Sequence, residues 1–229
     1  MNTKFPRRPI RSFVRREGRI TQGQERALDE LWPRFGLSLG ENPIRIEDHL
    51  PNCKKRVLEI GFGDGDSLLT MAKAEPESGF IGIEVHRPGV GRLLLRLAEE
   101  EINNVRLICD DAVQVVTHHI PVASLDRIQI FFPDPWHKKK HHKRRLIQPG
   151  FASLLAERLK PGGALHIATD WEDYAHTIME VVSAEKRVFN PYGEGHFVGH
   201  KKLRPATKYE ARGLRRGHHL YDIWVERKS

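Results

Sequence analysis

Arg56-Val57-Leu58-Glu59-Ile60-Gly61-Phe62-Gly63-Asp64-Gly65 is the stretch from which the fold can be read. A short apolar run closed by alternate glycines predicts a buried strand that turns directly into a helix, here over Ser67 to Ala74. Working outward, the same alternation recurs. Strands are expected at Gly79–Val85, Val105–Cys109, Leu125–Phe132, Ala164–Thr169 and His219–Glu226. Helices are expected at Gly89–Glu101, Ala112–His118, Phe151–Leu159 and Trp171–Ala184. The leucines at 93, 94, 95 and 97 read as core, and Lys160-Pro161-Gly162-Gly163 reads as a helix stop. Upstream, Thr21 and Gln24 have capping-box spacing, so a helix starts there and ends near Trp32-Pro33; the stretch around Gly36, Gly40, Pro43 and Pro51 reads as loop or short irregular structure. Strands alternating with helices predict an α/β fold: a mostly parallel twisted sheet with helices on both faces.

In such a sheet, ligands bind beyond the carboxyl ends of the strands. Acids stand at every one of these ends: Glu84, Asp110-Asp111, Asp134 in Phe132-Pro133-Asp134-Pro135-Trp136, and Asp170. The turn itself is Gly-x-Gly-x-Gly, with Glu59 two residues before Gly61. Gly61 and Gly63 let the backbone approach a ligand closely. A carboxylate at Glu59 would repel a pyrophosphate and favour a cation, either a sulfonium or an α-ammonium group. Glu84 lies 23 residues beyond Gly61, where a carboxylate accepts from both hydroxyls of a ribose. With Asp111 near the adenine, the set points to S-adenosylmethionine, which has both cations and no phosphate.

The chain has 229 residues and a formal net charge of +8. That charge is unevenly placed. Residues 1–20, 137–145 and 200–218 together carry +18, and the rest of the chain carries −10. An acidic body with three basic patches suggests a polyanion partner; the plainer alternative is three solvated faces or tails. Residues 1–20 read as a basic flexible arm whose Arg7, Arg8, Arg11, Arg15 and Arg16 suit a segment that orders on RNA or cofactor; residues 21–229 read as a single domain. No stretch has the length and apolarity of a membrane span or a signal peptide. Cys53 and Cys109 do not suggest a disulfide framework, so a reducing, cytoplasmic setting is expected. His137, His141 and His142 stand among six cations, which disfavours a metal site.

These residues resemble one family closely, the bacterial single-subunit tRNA (guanine-N7)-methyltransferases. The resemblance runs through Arg11–Thr21, Leu58–Gly65, Ile81–Gly91, Asp110–Val113, Phe131–Leu146, Ala168–Ala175 and Arg204–Gly213. The block PDPWHKKKHHKRR is its most specific part; Tyr209 departs mildly, since family members often carry Phe there. The resemblance implies a class I, Rossmann-like methyltransferase fold with a last antiparallel strand. It implies S-adenosylmethionine contacts at Glu59, Glu84, Asp111 and Asp134, and a catalytic role for Asp134. It implies substrate contacts at Lys138, Asp170, Thr207, Lys208, Tyr209 and Glu210. RNA contacts would be Lys140, His141, His142, Lys143, Arg144 and Arg145. The implied product is 7-methylguanine in the variable loop of tRNA, made by a monomer or homodimer.

The chemistry fits that expectation. Guanine N7 is a neutral lone pair and needs no strong base, while methylation leaves the purine positive. A carboxylate at Asp134 or Asp170 stabilises that charge or holds the base edge. N7 is inaccessible inside an RNA helix, so the base must leave its stack. Trp136, Trp171 and Tyr209 are candidate platforms for it, with core packing the other reading, favoured for Trp171. Two other functions stay open from sequence: methylation of another RNA, and RNA binding by an inactive chain of this fold.

Overall fold

The computed structural model describes residues 12–13, 18–199, 203–215 and 217–229, and only the backbone of Tyr209. The arm expected over 1–20 therefore lies outside the described residues, apart from Ser12, Phe13 and residues 18–20.

The chain opens with α1 (Gln22–Glu30), α2 (Trp32–Phe35) and α3 (Ile46–His49). The capping box forms as its spacing predicts: Gln24 N donates to Thr21 Oγ1, and Thr21 N to Gln24 Oε1. Pro33 does not stop the helical path. It sits in the first turn of α2, where its missing N–H costs nothing. The expected loop before the first strand is interrupted by α3, which seats Ile46 in the core.

Strand and helix then alternate: β1 (Lys55–Ile60), α4 (Asp66–Ala74), β2 (Ser78–Ile83), α5 (Arg87–Glu99), β3 (Val105–Ile108), α6 (Ala112–His118), β4 (Leu125–Phe131), α7 (Pro149–Arg158), β5 (Leu159–Thr169), α8 (Glu172–Ser183), β6 (Val188–Phe189), α9 (Lys208–Arg215) and β7 (Tyr221–Arg227). They build a seven-stranded sheet of order β3-β2-β1-β4-β5-β7-β6. β1 to β5 are mutually parallel, and β7 enters antiparallel between β5 and β6.

Period-two alternation sends the side chains to two cores. Leu58, Ile60, Ile81, Ile83, Ile128, Ile130, Leu165 and Ile167 pack under α6, α7 and α8. Val57, Phe80, Val105 and Leu107 pack under α1, α2, α4 and α5. Each fully buried aliphatic side chain adds about 1.5–3 kcal/mol. Leu93, Leu94 and Leu97 belong to this second core, but Leu95 does not: it is 41% exposed, on the outer side of α5.

Lys160-Pro161-Gly162-Gly163 also departs from its reading as a stop after the helix. It lies inside β5, which pairs Leu159 with Leu125, shifts register, and resumes at Ala164 opposite Arg127. Gly162, at φ +75°, allows that excursion.

One row of the second face is polar. Glu59, Gln129, His166 and Trp224 are successive register partners across β1, β4, β5 and β7. The α1–α4–α5 layer leaves the β5–β7 side of this face to residues 203–215, where α9 stands unforeseen by the sequence pattern.

Candidate active site

The glycine turn lies at the carboxyl end of β1. Gly65 takes φ +80° as the N-cap of α4, and a Cβ there would meet Leu93 at 2.7 Å. A Cβ on Gly89, at the start of α5, would meet the carbonyl of Gly63 at 2.2 Å, so only glycine lets α5 close against the turn.

A cleft of about 260 Å³ opens beside this turn, lined by Gly61, Glu84, Asp110, Phe132 and Asp134, with Ser12 and Phe13 on its rim. Glu84 is held by three backbone amides: Gly63 at 2.8 Å, Val85 at 2.7 Å and His86 at 2.9 Å. That pins the carboxylate plane. Asp110 lines the wall, its Oδ1 accepting from Asp111 N, while Asp111 Oδ1 accepts from Val113 N and caps α6.

A smaller hollow continues from the turn and brings Glu59 together with Gly61, Asp64, Ser67, Thr207 and Lys208. Glu59 is 2% exposed and accepts from Gln129 Nε2 at 2.7 Å. Burial pushes its carboxyl up to about 7, against the opposing pull of Gln129 and Arg127. Ser67 Oγ is buried in the first turn of α4 without a hydrogen-bond partner among the described residues. An orphaned hydroxyl at a helix N-terminus suits an anionic group, and a buried carboxylate beside it suits a cationic one. This donor set fits the amino-acid end of S-adenosylmethionine.

The C-terminal segment is brought to the same turn. Lys208 pairs with Asp64. Burial alone would raise the Asp64 carboxyl, but Lys208 and Arg92 hold it below the usual range. Thr207 Oγ1 accepts from Glu210 N and caps α9. Glu210 is buried and meets Arg204 Nη1 at 2.5 Å. The Arg204 guanidinium also donates to Asp222 through Nε at 2.9 Å and Nη2 at 3.1 Å. It stacks on Phe131 and Phe132, the latter at φ +54°. Asp222 in turn meets His166 Nε2 at 2.6 Å, and burial pushes that imidazole down. Glu210, expected to touch substrate directly, is thus enclosed in an ion network beneath the cleft. The Tyr209 side chain lies outside the described residues.

Asp134 is exposed at the cleft, its Oδ1 accepting from Trp136 N at 2.9 Å. The Trp136 ring is already engaged. Its Nε1 donates to Ser12 O at 3.2 Å, Arg144 lies over it, and His141 meets it edge-on. A 3₁₀ helix over Lys139–Arg144 follows, with Lys138, Lys139, Lys140 and Lys143 exposed. Partial desolvation and the cations Lys140, Arg144, Lys138 and Lys143 hold the His141 imidazole below its usual range.

Arg145 departs from the expected RNA contact. Its side chain is 2% exposed and is held by Pro135 O, Thr177 Oγ1 and Asp173 Oδ2, at 2.9, 3.1 and 2.5 Å, with Tyr174 beneath it. It braces the loop from inside and has no face left for phosphate. Asp170, at the end of β5, meets His218 Nδ1 at 3.0 Å, and His137 packs on Trp171 at 4.3 Å. Sequence reasoning missed Ser67, Arg204 and His218. Only the position of Ser67 in the first turn after the glycines was a usable signal.

The fold has close counterparts among solved structures. The 16S rRNA methyltransferase KamB superposes with a TM-score of 0.61 over 85% of this chain and 98% of its own, at 14% identity. The antibiotic-resistance methyltransferase Kmr gives 0.57 over 84% and 95%, at 13% identity. Fold and cleft together are those of a Rossmann-like methyltransferase. A family model described as "Putative methyltransferase" matches residues 54–223. The tRNA (guanine-N(7)-)-methyltransferase of Halorhodospira halophila is 54% identical over 94% of both chains, and that of Nitrosococcus oceani is 52% identical over 97% of this chain and 93% of its own. The chain belongs to the tRNA (guanine-N(7)-)-methyltransferase family. Among the described residues, no helix is long and apolar enough to cross a membrane, and no His, Cys, Asp and Glu cluster could hold a metal ion.

Proposed function

We propose that this protein transfers a methyl group from S-adenosylmethionine to N7 of a guanine in the variable loop of tRNA. One observation carries the reading: residues 132–145 form a single loop whose start, at Asp134, lines the acidic cleft and whose end bears the exposed cations. A methyl-donor site and a phosphate-binding surface are thereby joined. The relatives' names supply tRNA and the N7 position.

When bound, the cofactor supplies an electrophilic methyl on a sulfonium. Glu84 is fixed to receive the ribose hydroxyls, and Asp110 and Asp111 stand on the adenine side. Ser67 and the first amides of α4 would hold the carboxylate, and Glu59 would face the cationic end. Lys138, Thr207 and Lys208 stand where the RNA enters. Lys140, His141, His142, Lys143 and Arg144 meet its phosphates, and Arg145 braces them.

Asp134 faces the purine as it becomes cationic and lowers the cost of that charge. The guanine Watson–Crick edge offers two adjacent donors, N1–H and the N2 amine, which the Asp170 carboxylate accepts as a pair. His137 and Trp171 give the unstacked base an aromatic wall.

The test incubates the protein with methyl-labelled S-adenosylmethionine and unmodified tRNA transcripts, followed by chemical cleavage at 7-methylguanine. Label confined to one variable-loop guanine is expected. Label on another base, or none, overturns the reading.

A further inference from the structure

The far side of Asp170 carries a relationship that the function above does not use. The His218 imidazole reaches back from beyond α9 and places Nδ1 3.0 Å from Asp170 Oδ2. A carboxylate only accepts, so Nδ1 carries the proton and donates. His218 is itself held: its backbone N donates to Gly213 O at 3.0 Å, and Gly217, at φ +76°, makes the turn that allows it. Gly213 abuts the same carboxylate, since a Cβ there would lie 2.7 Å from Asp170 Oδ2. The Trp171 ring meets His218 edge-on at 6.5 Å and also packs with His137 at 4.3 Å. Asp170 and His218 keep side-chain exposures of 28% and 33%, so the pair is open on one side.

We propose that His218 is a positioning residue: it fixes the plane of the Asp170 carboxylate so that both oxygens meet the two donors of the target guanine. This rests on the reading above, in which Asp170 receives the base edge. A carboxylate free to rotate loses orientational entropy on making a paired contact, whereas one already held makes it at lower cost. The role is one of specificity, because only a purine with both N1–H and a 2-amine uses the fixed plane. Inosine, which lacks the 2-amine, gains little from it.

The experiment uses tRNA transcripts carrying guanosine or inosine at the target site, with wild type, His218→Ala and His218→Asn. Asparagine puts an N–H donor near the position of Nδ1. With His218→Ala, kcat/KM on guanosine should fall about tenfold while that on inosine changes little. His218→Asn should restore most of the loss, and all three proteins should bind S-adenosylhomocysteine equally. Equal losses on both transcripts, or no rescue by asparagine, would overturn the proposal while the functional reading stands. A wild type that leaves the guanosine transcript unmethylated overturns both.

Discussion

Gln129 Nε2 donates to Glu59 Oε2 across 2.7 Å, tying β4 to β1 beneath the glycine turn. The bond satisfies one carboxylate oxygen, but burial still raises the carboxyl to about 7. An unfolded glutamate titrates near 4.5. The folded state therefore binds the proton more tightly, and stability is lost as pH rises through 7, by about 3 kcal/mol at most. Glu59→Gln keeps the hydrogen bond and removes the charge. Its melting temperature should match wild type near pH 5 and exceed it at pH 8. Melts that run parallel across that range would refute the assignment.

The same carboxyl links cofactor binding to protons. A cation near Glu59 favours its ionised form, so binding near pH 6.5 should release a proton. Calorimetry in buffers of different ionisation enthalpy measures this, and Glu59→Gln should abolish the buffer dependence while weakening affinity.

Asp134 is exposed and its one described bond is local, so Asp134→Ala should fold normally. Single-turnover methyl transfer should fall by roughly 10²–10³-fold. tRNA affinity, measured by filter binding, should stay within about twofold because phosphates dominate it.

The basic loop divides into two kinds of cation. Lys139→Ala with Lys140→Ala should lower the salt dependence of tRNA binding by about one to two units of slope and leave the melting temperature unchanged. Arg145→Ala should do the reverse: a loss of about 2 kcal/mol of stability, read by urea denaturation, and a near-normal salt slope.

Arg204 joins two buried carboxylates, Glu210 and Asp222. Arg204→Met strands both and should cost about 3–5 kcal/mol by the same denaturation assay. Arg204→Lys should recover little of it, since an ammonium cannot reproduce the planar fork.

What the sequence disclosed follows from local chemistry. β1, the glycine turn and α4 are written in contiguous residues, and Glu84 comes at a fixed distance from them. The parallel order follows from strand–helix alternation, which relates neighbours along the chain. Arg145 reads as an RNA contact because charge runs are legible but burial is not: its guanidinium is enclosed only because Asp173 and Thr177 on α8, with α7 and β5 in between, receive it. Lys160 to Gly163 looked like punctuation because a strand can absorb a bulge that its own sequence does not announce. Glu210 and His218 were harder still. Glu210 is held by Arg204 in the irregular segment before α9, and His218 by Asp170 just past the end of β5, contacts that no local period reveals.

Lys208 meets Asp64, and Arg204 stacks under Phe132, so the last part of the chain completes a cleft begun by its first strand. During synthesis, β1, α4 and β2 leave the ribosome long before residues 204–227. A nascent chain paused ahead of that segment holds the glycine turn and Glu84, but has neither the second wall of the hollow nor the network beneath Phe132. Competence for methyl transfer is therefore acquired at the end of translation, and prematurely terminated chains should be unable to modify RNA.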